Sequence, residues 1–172
     1  MPPREQAFVE HLQGLAQRQD RGALAALRSG LGQPNLVAAP MHPHVVPFLD
    51  PEGEWEDWRY YLVAALFASH PESTGSGNLG ESFRALNLKA ASASGEARFI
   101  ALLSAHRDDL PGLLRQAVGL LRSHDVPVNW AQLLRDLRAW DQPDQYVQRR
   151  WARSFYRQQR PEGAESENGG TQ

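Results

Sequence analysis

Residues 109–160, DLPGLLRQAVGLLRSHDVPVNWAQLLRDLRAWDQPDQYVQRRWARSFYRQQR, read as three consecutive helices, each with a marked start. In the first, Asp108 or Asp109 serves as N-cap and Pro111 sits just inside, where its missing N–H costs nothing. Leu110, Leu113, Leu114, Ala117, Leu120 and Leu121 recur at helical spacing and leave Arg115 and Arg122 off the apolar stripe. His124-Asp125-Val126-Pro127 ends this helix, and Asn129 caps the next. There Trp130, Leu133, Leu134, Leu137 and Trp140 form one broad face, with Arg135 and Arg138 outside it. Asp141 and Pro143 repeat the start signal. In the third helix Val147, Trp151 and Phe155 are four apart and stack on one side. Arg149, Arg153 and Arg157, also four apart, form a ladder on another.

Toward the N-terminus, Ser94 is the expected cap of EARFIALLSAH, and the small residues Ala90 to Gly95 are either a linker between two bundles, with a boundary there, or the turn between neighbouring helices. Asn78 starts LGESFRALNL, with Leu79, Phe83 and Leu86 inward, after the polar loop ESTGSGN. Asp50-Pro51-Glu52 is expected to open the longest apolar helix, carrying Trp55, Trp58, Tyr61, Leu62, Ala65, Leu66 and Ala68 up to His70-Pro71. Its early acids Glu52, Glu54, Glu56 and Asp57 favour a helix start over catalysis, and Arg59 stands alone among them. Pro34, Pro40, Pro43, Pro47 and Pro51 predict an ordered loop over 33–51 that wraps the core through Val45, Val46, Phe48 and Leu49. Phe8, Val9, Leu12, Leu15 and Ala16 make an amphipathic helix of residues 5–19. Asp20 then caps RGALAALRSGL, where Arg21 and Arg28 share a face and Arg18 stands just before, an arginine corner.

The 172 residues suffice for one core or two small ones, since domains hold roughly 100–150 residues. With no cysteine there is no disulfide, thiolate zinc site or thiol nucleophile. No run approaches the ~20 apolar residues of a membrane span, and the charged, amphipathic start has no signal-peptide core, so a cytoplasmic protein is expected. The formal charge of -2 hides an uneven distribution. Residues 51–110 carry nine acids and five bases, or -4, and residues 111–160 nine arginines and four aspartates, or +5. Seventeen of the eighteen basic residues are arginine, which a lineage-wide coding bias also produces, so arginine choice alone carries little.

Enzymatic constellations find no support. Gly75, Gly77 and Gly80 follow a helix instead of joining a strand to one, so there is no phosphate loop. Adjacent Asp108 and Asp109 suit a helix start, and Ser104, His106 and Asp108 lack a nucleophile elbow. His42 and His44 have no third histidine nearby, so neither a metal site nor any other cofactor is expected. A helix-turn-helix over 110–140 is opposed by its seven-residue turn and apolar second helix. Three uses of the arginines stay open: binding phosphates, pairing with acids on a partner protein, or solubility.

Several stretches resemble one family. Residues 98–157, from RFIALLSAHRDDLP through LLRSHDVPVNWAQLL to QRRWARSFYR, are similar to the C-terminal half of the CasB family, the small subunit of the type I-E CRISPR surveillance complex Cascade. RGALAALRSG (21–30), YYLVAALFASHP (60–71) and GNLGESFRAL (77–86) resemble it too, so the likeness covers nearly the whole chain to about Arg157. The resemblance implies an all-α, non-catalytic protein of two small helical bundles packed together, with no sheet. The expected division is 1–90 for the N-terminal bundle, 96–160 for the C-terminal one and 161–172 for a disordered acidic tail without a role. It implies as partners the other Cascade subunits (backbone and large subunits), a second copy of the chain, guide RNA and the single-stranded DNA of the R-loop. No small-molecule substrate and no membrane is implied. Nucleic acid would be held without sequence preference, steadying the displaced strand and the RNA–DNA hybrid. The alternative is a helical adaptor that binds only protein.

By motif, the resemblance carries nucleic-acid binding onto Arg21 and Arg28 of RGALAALR and onto Arg149, Arg150 and Arg153 of QRRWAR, with Arg107, Arg115 and Arg122 as companions between them. Trp151 and Phe155 of the same motif should be core. Family members often double the arginine that ends the first motif, whereas Ser29 follows Arg28 here, which removes one contact from that corner.

Overall fold

A computed structural model describes residues 1–53, 57–71, 75–91 and 93–157. Trp55 with Glu54 and Glu56, and the acidic tail 161–172, lie outside the described residues. The helices are α1 (Arg4–Gln17), α2 (Arg21–Arg28), α3 (His42–Val45), α4 (Asp57–Ser69), α5 (Leu79–Lys89), α6 (Ala93–Leu103), α7 (Leu110–Ser123), α8 (Trp130–Arg138) and α9 (Tyr146–Tyr156). The described residues contain no strand, so the fold is all-α, as expected. No helix among them is long and apolar enough to cross a membrane.

Helix α4 is the centre. Every residue from Tyr60 to Ala68 is buried, the signature of a helix apolar all round. It packs against α2, α3, α7, α8 and the 3-10 turn Ser29–Gly32. Its start differs from the expectation at Asp50. That carboxylate accepts the backbone N–H of Glu52 at 3.1 Å and pairs with Arg4 at 3.1 Å, making a turn instead of a helix cap. The Glu52 N–H and then Arg4 hold the Asp50 carboxyl below its ordinary pKa.

Three caps form where the sequence places them. Asp20, Asn78 and Asn129 accept the backbone N–H three residues on, at 3.0, 3.3 and 3.1 Å. Asp109 occupies the N-cap position of α7 without a side-chain cap bond. Helix α6 begins at Ala93, so Ser94 lies inside it instead of capping it. In the proline-rich segment Met41 and Val45 are fully buried and Phe48 and Leu49 pack on the core, but Val46 faces solvent at 51 % exposure. His42 and His44 part company: His42 hydrogen-bonds the Tyr61 hydroxyl at 2.7 Å, while His44 stacks on His11.

The helix contacts cut across the chain order. Helix α8 packs on α4 and α1, and α5 packs on α9, α6 and α7. Helix α7 touches α4 on one side and α5 and α6 on the other. The Arg59 side chain, buried on α4, donates to the Leu137 carbonyl at 2.8 Å and reaches Asp141 at 3.3 Å. It thereby satisfies the α8 end. At the α5–α9 crossing Gly80 lies so close to the Trp151 backbone that a Cβ would overlap it, so only glycine fits there.

Candidate nucleic-acid interface

The first arginine corner is built around the C-terminal end of α4. Arg28, in the last turn of α2, donates to the Ala68 carbonyl at 3.2 Å. Arg122 on α7 donates to the next carbonyl, Ser69, at 3.3 Å. Arg115, two turns earlier on α7, donates to the Leu31 carbonyl at 2.9 Å, in the turn that follows α2. Two guanidiniums therefore sit on consecutive carbonyls at the negative end of a helix, which offsets their mutual repulsion. All three are exposed, and each guanidinium has five N–H donors, so most remain available to a ligand. Arg21 lies two turns before Arg28 on the same side of α2, exposed and with no side-chain partner among the described residues. A cation at a helix N-terminus is unfavourable in itself.

The second group lies along α9. Val147 and Trp151 are buried, Phe155 packs against the core, and Arg149, Arg150, Arg153 and Arg157 are all exposed. At 100° per residue these four arginines fall within an arc of about 100° opposite Trp151. Arg149 makes a long pair with Asp144 at 3.9 Å, and Arg150 lies 5.0 Å from the centre of the Tyr146 ring. Arg153 has no partner among the described residues. The row is held in place from behind: Trp151 Nε1 donates to Asp136 of α8 at 2.7 Å, and Gln148 Nε2 donates to the Trp140 carbonyl at 3.0 Å. Asn78 Nδ2 donates to Ser154 at 2.9 Å. Burial raises the Asp136 pKa, against the pull of the Trp151 and Gln132 hydrogen bonds and the charges of Arg135 and Arg150.

Arg107 stands apart, on the exposed turn between α6 and α7, 3.8 Å from Asp108 and beside Asp109. Local acids balance its charge. Arg18 does not join the first corner. It folds back along α1 over Gly14, and its charge is felt at His11. Other arginines are engaged within the chain: Arg138, though exposed, pairs with Glu5 and ties α8 to α1, and Arg59 is buried. Sequence reading gave no part to Arg84, which shares a cleft with Arg157. Its signal was the spacing of Glu81, Arg84, Ala85 and Leu88 along one side of α5. Arrays of exposed guanidiniums on rigid helices can neutralise successive charges of an anionic polymer without reading its sequence.

The family model for CRISPR-associated protein Cse2 matches residues 23–156. The chain belongs to the Cse2 family. It is 42% identical over 154 residues to the CRISPR-associated protein Cse2 of Thermus thermophilus, covering 87% of this chain and 86% of that protein. It is also similar to the crystal structure of CasB from Thermus thermophilus, with a TM-score of 0.75 and 40% identity over 91% of this chain and 99% of that one. A chain of a CRISPR RNA-guided surveillance complex gives a TM-score of 0.74 at 28% identity, covering 90% of this chain and 91% of that chain. The likeness to CasB read from the sequence therefore holds, and the Cse2 match runs from within α2 to the end of α9, taking in Arg28, Arg115, Arg122, Arg149, Arg150 and Arg153 but stopping short of Arg21 and Arg157.

Proposed function

We propose that this chain is the non-catalytic small subunit of a type I-E CRISPR RNA-guided surveillance complex, acting in antiviral defence in the cytoplasm. In this reading it docks beside the backbone and large Cascade subunits together with a second copy of itself. Its arginines hold the displaced DNA strand and steady the guide RNA–DNA hybrid, while base pairing supplies the specificity. The carrying observation is the α9 row, three exposed arginines on one side of a helix whose other side is anchored by Trp151, with exposed Arg157 following at the C-cap. Membership of the Cse2 family and the likeness to a surveillance-complex chain support it.

The test is single-stranded DNA binding by the isolated chain across a range of salt. A strand held by Z phosphate contacts weakens with a slope of about -0.7Z in log K against log salt. Replacing Arg149, Arg150 and Arg153 together by alanine should flatten that slope by about 2. Because none of the three is buried, the fold should be unchanged. Absence of binding at every salt would favour the adaptor that binds only protein.

A further inference from the structure

Between α5 and the α7–α8 connection lies a cleft of roughly 340 Å³, within the range of small-ligand sites. One wall is the side of α5 that carries Arg84, Ala85 and Leu88, and the opposite wall is Val126 and Pro127. Arg157, just past the end of α9, also lines it. The walls are pinned by backbone geometry. Ser82 Oγ donates to the Pro127 carbonyl at 3.0 Å, and Gly75 N–H to the Val128 carbonyl at 3.2 Å. The cleft is therefore preformed.

Its chemistry is two cations beside an apolar wall. Neither Arg84 nor Arg157 has a side-chain partner among the described residues. Leu88 leaves 68 % of its surface exposed, a large aliphatic side chain with no cover. Glu81, also in the lining, is turned back over Gly77, where an added Cβ would meet its carboxylate. Glu81 is the one acid among the described residues of the lining, set against Arg84 and Arg157. Arg157 also continues the α9 row, since Arg149, Arg153 and Arg157 follow one another in steps of about 6 Å along the helix.

We propose that this cleft seats one nucleotide of a strand held along α9, with its phosphate between Arg84 and Arg157 and its base against Leu88, Val126 and Pro127. This rests on the strand-holding reading above. It adds a fixed end to a row that otherwise makes only phosphate contacts. A guanidinium plane can also cover the face of a base, so the seat tolerates any base.

The experiment titrates thymidine 3′,5′-bisphosphate, and separately inorganic phosphate, into the full isotope-labelled chain and follows the amide signals of Gly75, Ser76 and Leu88. Saturable shifts at these amides are expected, with Arg84→Ala weakening the bisphosphate by about tenfold or more, as loss of a charged hydrogen bond implies. Arg98→Ala, an exposed arginine of α6 outside both arginine groups, should leave the mononucleotide affinity unchanged. Equal affinity for bisphosphate and inorganic phosphate would overturn the base contact and leave an anion site only. Shifts at the same amides on changing Glu162, Glu165 and Glu167 to glutamine, with no nucleotide present, would make the chain's own acidic segment the occupant and overturn the proposal. A single-stranded oligonucleotide added in parallel separates the two readings. If it binds while the cleft amides stay silent, the seat is wrong and strand holding stands; if it fails to bind at any salt, strand holding itself is contradicted.

Discussion

Asp136 is a buried acid through which α8 orients α9. One carboxylate oxygen accepts from Trp151 Nε1 at 2.7 Å and the other from Gln132 Nε2 at 2.8 Å. Asp136→Ala would leave the buried Trp151 N–H unpaired and should cost about 1–3 kcal/mol, read as a lower midpoint in urea unfolding. Its raised pKa gives this group's contribution a sign: the folded state holds the proton longer, so the contribution is complete below 3.8 and declines as pH rises through the folded value. His11 behaves in the opposite way. Burial first, then His44 and Arg18, lower its pKa from 6.5, and its Nε2 is buried without a hydrogen-bond partner among the described residues. The unfolded chain therefore binds the proton first. His11's contribution is present above 6.5 and is lost as pH falls through the folded value. His11→Phe keeps a ring against Phe48 and should lose less stability than the parent between neutral pH and pH ~5, measured as urea midpoints across that range.

At the scale of the helices, what the sequence made legible was local chemistry. Asn78 and Asn129 announce α5 and α8 because an amide oxygen before an apolar stripe has few better uses than the free N–H groups of a first turn. Asp50 looked the same but had Glu52 and Arg4 within reach, so it closed a turn. Packing partners were not legible. A stripe shows that a helix buries one side, but nothing in it says that α5 lies on α9 or α8 on α1. The candidate site divides in the same way. Periodicity placed the α9 arginines opposite Trp151, whereas the pairing of Arg138 with Glu5 and the sharing of a cleft by Arg84 and Arg157 depend on contacts between distant segments. Two outcomes belong here. Gly80→Ala forces α5 and α9 apart at the Trp151 backbone and should destabilise by about 1–3 kcal/mol in denaturant unfolding. Asn78→Ala removes both the α5 cap and the Ser154 contact and should cost about 1 kcal/mol or more by the same measurement.

For the molecule as a whole, the division of labour among arginines sets what its surface can bind. Arg59, buried, and Arg138, exposed but paired with Glu5, join helices to one another, while those on α2, α7 and α9 face outward on a chain of net charge -2. On the strand-holding proposal, attraction for a strand would come from these local rows, since the overall charge opposes it. The same local rows should make binding sensitive to salt and indifferent to sequence. The most direct measurement is chemical footprinting of the displaced DNA strand in the assembled surveillance complex, with this subunit intact, absent, or carrying alanine at Arg149, Arg150 and Arg153. Protection is expected with the intact subunit and equal loss of protection in the other two, with the variant still incorporated into the complex. Undiminished protection in a complex that contains the variant would contradict strand holding by the α9 row.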